Sequence, residues 1–176
     1  MKKNKFVLAL LSIVTIGLIS CSSGHKVAGV NLDGDYVLNN ISFSGIDSGG
    51  VKKEYFAKDT ATIVHSVYLN TLVFDDAAPN CFEGSTWHLP FNGYGSYTIS
   101  GNSNCGPGQR SINWSIRTVN GQSQFRFKVL NGAKAKKITD GYILNIVNST
   151  TSGFTATEDI NVDGRPATVT FNFVRQ

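Results

Sequence analysis

Residues 110–130 read RSINWSIRTVNGQSQFRFKVL, and apolar and polar side chains alternate along both halves of this stretch. The apolar members of the alternation are Ile112, Trp114 and Ile116, followed by Phe125, Phe127 and Val129. This period of two is what a strand with one buried face requires. Between the halves, Asn120 and Gly121 are the strongest short signal for a tight hairpin turn. The stretch therefore predicts a β-hairpin with an aromatic inner face.

The same pattern recurs on both sides of this hairpin. Short strands separated by Gly, Asn, Asp or Ser clusters are predicted at residues 35–43, 86–91, 96–100, 110–119, 124–130, 141–148, 153–162 and 167–175. Helical periodicity is nearly absent. For residues 52–71 the sequence does not distinguish a short helix from a strand that begins in the later half of this stretch and ends at Phe74.

About eight strands joined by short turns favour an all-β fold, an eight-stranded up-and-down antiparallel barrel. Consecutive hairpins place neighbouring strands side by side, and closure removes the exposed edges that so many apolar strands would otherwise present. A two-sheet β-sandwich is the alternative. We expect residues 32–176 to form this one domain, a length sufficient for its own core.

The first residues have the layout of an export signal. Lys2, Lys3 and Lys5 precede an apolar stretch, residues 6–19, that is short for a permanent membrane span. Residues 18–21, Leu-Ile-Ser-Cys, resemble the lipobox of bacterial lipoproteins. We therefore expect residues 1–20 to be a cleaved lipoprotein signal peptide and Cys21 to be the lipid anchor, with residues 21–31 as a linker. An ordinary secretory signal is the alternative.

An acylated Cys21 would fix the protein to a membrane, because two or three acyl chains anchor far more strongly than one. Ser22 is not the aspartate that retains enterobacterial lipoproteins at the inner membrane, so the outer membrane is the expected location. Without residues 1–20 the chain has 13 basic and 12 acidic residues. This balance argues against a nucleic-acid partner.

Two cysteines remain, Cys81 and Cys105, and in an oxidising compartment an even pair favours a disulfide. Such a bond would close a loop of about 25 residues. A metal site is the alternative, but neither cysteine has a Cys or His at ligand spacing.

No catalytic constellation is evident, and we expect neither an enzyme nor a cofactor. His25, His65 and His88 are far apart in the sequence, and His88 falls on the outward side of its strand. Ser85 follows a glycine but lacks the second glycine of a nucleophile elbow, which predicts a turn residue.

Acidic residues offer a weak signal for a cation site. Asp75, Asp76 and Glu83 lie close in the sequence, but their spacing is not that of a calcium loop. A solvated loop is the simpler interpretation, and we expect no bound metal.

Aromatic residues could line a cavity for an apolar molecule or fill the barrel, since eight strands allow either. The candidate ligand-binding residues are Trp87, Tyr97, Trp114, Phe127, Tyr142 and Glu158. Counting by twos along 154–162 puts Glu158 on the apolar face, where a carboxylate needs a partner or a proton. The more conservative interpretation is that the strand bends or ends there and Glu158 reaches solvent.

Several segments resemble a known family. Residues 32–38, Leu-Asp-Gly-Asp-Tyr-Val-Leu, resemble the first strand of lipocalins, with Tyr36 in place of the usual tryptophan. Lipocalins commonly lay a late arginine across that aromatic residue, and Arg175 is the candidate. Residues 81–87, 95–97 and 112–114 are similar to segments of lipocalin-like lipoproteins of Bacteroidota. The resemblance implies a lipid-anchored barrel and carries over no catalytic residue.

These observations favour a monomeric, membrane-anchored lipocalin-like lipoprotein that binds a small hydrophobic ligand or lipid in its barrel. A hollow core would support this function. A protein-binding barrel, such as a hydrolase inhibitor or an accessory subunit of an envelope complex, is the alternative. It predicts a filled core and a shaped loop at residues 82–85 or 92–95.

Overall fold

The computed structural model describes residues 24–45, 72–101, 105–162 and 165–176. The expected signal peptide with Cys21, and His65 with residues 52–71, lie outside these ranges. The described strands are β1 (Lys26–Val27), β2 (Val30–Asn31), β3 (Gly34–Ser44), β4 (Thr86–Leu89), β5 (Tyr94–Ile99), β6 (Gly108–Val119), β7 (Gln122–Val129), β8 (Tyr142–Thr150), β9 (Gly153–Val162) and β10 (Arg165–Arg175). One helical turn, α1 (Pro79–Phe82), precedes β4, and a 3₁₀ turn spans Ala135–Lys137.

Strands β3 to β10 form a closed antiparallel barrel, which confirms the barrel over the sandwich. Each strand pairs with the next, and β10 returns to pair with β3. This closing register runs from Thr168 opposite Ser44 to Arg175 opposite Tyr36. The barrel therefore has no free edge among these strands.

The barrel has two ends, which we call the base and the mouth. At the base, β3 begins with Gly34, which lies opposite Leu89 at the end of β4. At the mouth, β3 ends with Ser44 opposite Thr168 of β10, and β8 begins with Tyr142. Because the strands are antiparallel, every second connection lies at the mouth.

Strands β1 and β2 form a small hairpin at the base, inside the segment expected to be a linker. Val27 is buried, and its carbonyl accepts a hydrogen bond from Ser149 at 3.2 Å. The ring of His25 packs on Trp114 with 3.9 Å between centroids and hydrogen-bonds to Asp33 at 2.6 Å. The described chain is therefore packed against the barrel almost from its first residue.

The expected contact between the first and last strands of the barrel, β3 and β10, is present. The Arg175 guanidinium lies 4.9 Å from the centroid of the Tyr36 ring. It also donates to the Tyr36 hydroxyl at 2.6 Å and to the carbonyls of Asp33 and Asn31, both at 2.7 Å. A Cβ on Gly34 would collide with this guanidinium, so the glycine two residues before Tyr36 makes room for the contact.

Aromatic side chains fill the barrel from the base to its middle. Stacked or edge-to-face pairs include Trp87 with Tyr97 at 4.7 Å and Phe154 with Phe173 at 4.5 Å between ring centroids. Both arrangements are favourable beyond the apolar area they bury. This layer confirms the inner faces that the alternation of the sequence predicts.

The strand ends differ from the predicted ones by a few residues. Strand β4 ends at Leu89, because Pro90 has no N–H for a ladder and its carbonyl accepts the turn hydrogen bond of Gly93 at 3.0 Å. Strand β8 carries apolar residues on both faces, and its outward pair, Ile143 and Val147, is exposed.

Cys81 in α1 and Cys105 are joined by the expected disulfide, with their Cα atoms 5.4 Å apart. It ties the turn before β4 to the connection between β5 and β6 on the mouth side. None of the helices in the described ranges is long and apolar enough to span a membrane.

Candidate functional site

A cavity of about 220 Å³ opens at the mouth, above the aromatic layer. Seven of its ten lining residues are apolar, and its polar side-chain groups are two carboxylates and one phenol. The lining residues are Phe43, Leu72, Val73, Phe74, Asp75, Tyr142, Glu158, Ile160, Val169 and Phe171. They come from β3, β8, β9, β10 and the turn that precedes α1.

That turn places an aromatic plug beneath the cavity. The backbone reverses between Val73 and Ala77, which form an isolated antiparallel bridge. Phe74 and Asp75 both adopt positive φ, 54° and 50°, a conformation that is uncommon for a bulky residue. The Phe74 ring is buried and lies 5.2 Å from Phe171, in a stacked arrangement. The turn therefore forms the floor of the cavity.

Glu158 points into the cavity, so the interpretation that β9 bends or ends at this residue is wrong. The strand continues to Val162, because every residue of β9 pairs with β10, including Glu158 with Val169. The inward face runs through Phe154, Ala156 and Glu158. Burial raises the pKa of Glu158 above its ordinary value, and the nearby carboxylate of Asp75 raises this pKa further.

Tyr142 joins the plug to the wall of the barrel. Its hydroxyl donates to the carbonyl of Phe74 at 2.6 Å and lies 3.1 Å from a carboxylate oxygen of Asp75. Burial, the Asp75 hydrogen bond and the charges of Asp75 and Glu158 raise the pKa of Tyr142 to about 12. The phenol is therefore a neutral donor at physiological pH.

The neighbouring carboxylate, Asp76, is already neutralised. Arg110 binds it through Nε at 2.9 Å and Nη2 at 3.0 Å, and the Tyr97 hydroxyl donates to it at 2.7 Å. Burial and Asp76 raise the pKa of Tyr97. This group of three holds the turn in place and leaves Asp75 and Glu158 as the charges of the cavity.

The six candidate ligand-binding residues separate into two groups. Tyr142 and Glu158 line the cavity. Trp87, Tyr97, Trp114 and Phe127 are each at most 2% exposed and pack in the core. Phe127 comes nearest to the cavity, since its ring lies 4.8 Å from Phe74 and 5.1 Å from Tyr142.

The residues considered for cation binding do not meet. Glu83 accepts the backbone N–H of Ile41 at 2.9 Å, whereas Asp75 and Asp76 have the partners given above. In the part of the chain that the structure describes, no three His, Cys, Asp or Glu side chains form a metal site.

The described histidines and Ser85 also have structural partners. His88 lies on the outer face, as predicted, and hydrogen-bonds to Asp35 at 2.6 Å. Ser85 is buried and accepts the indole N–H of Trp87 at 3.0 Å. His25, at the base, pairs with Asp33.

A second groove, of about 430 Å³, lies on the outer face of β6, β7 and β8 and includes three basic side chains. Two of them have partners, since Lys128 donates to the carbonyl of Ile138 at 2.6 Å and Arg126 to the side chain of Gln124. We regard the mouth cavity as the better site, because most of its lining residues are apolar and a few polar groups converge in it.

Comparisons of the chain with protein-family models, with curated proteins and with solved structures found no match.

Proposed function

We propose that this protein is a membrane-anchored, lipocalin-like lipoprotein that binds a small, largely apolar molecule in the mouth cavity. The observation that carries the proposal is the cavity itself, with apolar walls, an aromatic floor and three polar groups. This combination is typical of small-molecule sites, in which apolar surface supplies affinity and a few polar groups orient the ligand.

The size of the cavity limits the ligand. Its volume of about 220 Å³ lies below the roughly 300–1,000 Å³ of drug-sized sites. The core beneath is filled by Trp87, Phe127 and their neighbours, which leaves no room for a long acyl chain along the barrel axis. The ligand we propose is therefore a compact molecule of about one ring, held at the mouth.

The lipid anchor supports the same function. Cys21 lies three residues before Gly24, the first described residue, and the following hairpin packs at the base. A lipid on Cys21 would hold the base towards the membrane, so that the mouth would face away from the membrane. A ligand could then enter from the aqueous side.

Native mass spectrometry of residues 22–176, incubated with cell-envelope extract and purified from it, tests the binding. We expect a small molecule to remain with the protein and to be lost when Val169→Trp fills the cavity. Val174→Trp, at an exposed site on the same strand, is the matched control. A bare protein mass in every preparation, together with no uptake of small aromatic probes, would contradict the proposal.

Metabolic labelling with palmitate tests the anchor. The full-length protein should carry the label and sediment with membranes, whereas Cys21→Ala should be unlabelled. Labelling of Cys21→Ala would place the lipid elsewhere and overturn this part of the proposal.

One observation favours a protein-binding function as a second candidate. The turn after β4 presents Phe91, 71% exposed, and the neighbouring Tyr94 is 61% exposed. Exposed aromatic residues on a hydrogen-bonded turn are suitable anchors for a protein partner. Phe91→Ser would then abolish capture of that partner without changing small-molecule binding at the opposite end of the barrel.

A further inference from the structure

We propose that the molecule bound at the mouth is a small organic amine, protonated, with an aromatic or aliphatic body and no acidic group. This inference rests on the proposed function and identifies the chemical class of its ligand. It follows from the sign of the charges in the cavity, from the lack of a partner for one of them, and from the aromatic lining.

Among the described residues that line the cavity, the charged groups all have one sign. Glu158 and Asp75 contribute carboxylates, and the lining residues given above include no lysine, arginine or histidine. The nearby guanidinium of Arg110 is held by Asp76 and by the carbonyls of Gly106 and Gly108, at 2.8 and 3.0 Å. An anionic ligand would therefore enter a negative site without a counter-charge, which is unfavourable at low dielectric.

Among the described residues, Glu158 has no partner of opposite charge. Across the described residues, its carboxylate forms neither a hydrogen bond nor an ion pair, although the side chain is half-buried on the inner face of β9. The nearby charge that acts on it is the like charge of Asp75. A half-buried carboxylate next to another carboxylate is costly when it is ionised. A bound cation would supply the charge that the described residues do not.

Aromatic rings line the same cavity as these carboxylates. Phe43, Phe74, Tyr142 and Phe171 all line the cavity, and the Phe74 and Tyr142 rings lie 5.1 Å apart. Aromatic faces attract ammonium groups, and the attraction is stronger where water is excluded. Carboxylates together with aromatic faces are the chemistry that recognises an amine. A neutral apolar ligand would need only the rings.

The test compares three probes with one carbon skeleton: phenethylamine, 2-phenylethanol and phenylacetate. Calorimetric titration would use residues 22–176, which retain every strand of the barrel. We expect phenethylamine to bind about tenfold more tightly than the alcohol, and phenylacetate to bind most weakly. Because the three probes differ chiefly in the terminal group, the ranking reports the charge preference of the site.

Glu158→Gln keeps the shape of the side chain and removes its charge. In this variant the affinity for phenethylamine should fall about tenfold, while that for the alcohol should not change. The matched control is Asp159→Asn, which removes the adjacent carboxylate on the exposed face of the same strand, where it accepts a hydrogen bond from Thr168. If Glu158→Gln does not fold, Asp75→Asn removes the other carboxylate of the cavity, and the same loss of amine affinity is expected.

The possible outcomes separate this inference from the proposed function. If 2-phenylethanol binds as tightly as phenethylamine, or if Glu158→Gln leaves amine binding intact, the amine inference is overturned while the cavity remains a ligand site. If none of the three probes binds at millimolar concentration, the amine inference is overturned. If native mass spectrometry also shows only the bare protein, the proposed function is overturned with it.

Discussion

Arg175, near the end of the last strand, lies over the ring of Tyr36, near the start of the first barrel strand, and so links the two strands where the barrel closes. The same guanidinium donates hydrogen bonds to Tyr36 and to two backbone carbonyls, those of Asp33 and Asn31. One side chain therefore joins β10, β3 and the end of the N-terminal hairpin.

Replacing Arg175 with Gln should lower the free energy of unfolding by about 2 kcal/mol, because hydrogen bonds from a charged group to partly buried oxygens are lost. Urea denaturation measures this change. Arg117→Gln, at an exposed site, should have little effect. Equal stabilities for the two variants would show that the contact contributes nothing to closure.

The Cys81–Cys105 disulfide closes a loop with a sequence separation of 24 residues. Substituting both cysteines with serine should lower the free energy of unfolding by about 3 kcal/mol on the chain-entropy account. A reductant should destabilise the native protein by a similar amount and leave the double variant unchanged. If the reductant also destabilises the double variant, its effect on the native protein does not come from this bond.

The strands and their inner faces are predictable from the sequence because a period of two is a local property. Trp114 and Phe127 are buried as the alternation predicts, and the Asn120–Gly121 turn joins their strands. The contact between Tyr36 and Arg175, by contrast, spans almost the whole domain. It could be predicted only through the resemblance to lipocalins.

The cavity could be predicted only in part. Counting by twos places Glu158 inward, but its position depends on pairing with Val169, which alternation alone does not reveal. No pattern in the sequence predicts that Phe74 forms the floor of the cavity. Its position depends on a chain reversal with positive φ at two residues that rarely adopt it. The floor of the site therefore results from tertiary packing.

Phe74→Ala should lower the free energy of unfolding by about 3 kcal/mol, because a buried ring is removed from among Phe82, Phe127 and Phe171. It should also deepen the cavity, so that aromatic amines larger than phenethylamine bind. Phe91→Ala, at an exposed turn, is the matched control and should cost little. If the two variants unfold at the same urea concentration, Phe74 is not a plug.

The raised pKa of Glu158 makes stability depend on pH in a defined direction. Between the ordinary value of 4.5 and the raised value, the folded protein holds a proton that the unfolded chain has released. Stability is therefore highest below this window and falls as the pH rises through it.

Glu158→Gln should abolish this dependence and be more stable than the native protein at neutral pH. The groups around Glu158, namely Asp75, Tyr142 and the Asp76–Arg110 pair, are common to both proteins. The difference between the urea midpoints of the two proteins therefore reports the contribution of Glu158 to stability. Measured from about pH 4 to about pH 8, the stability advantage of Glu158→Gln over the native protein should grow with pH.

Phenethylamine should reduce this advantage, because its ammonium group favours the ionised carboxylate. An advantage that is constant with pH would mean that Glu158 titrates as a solvated residue and that the cavity does not desolvate it.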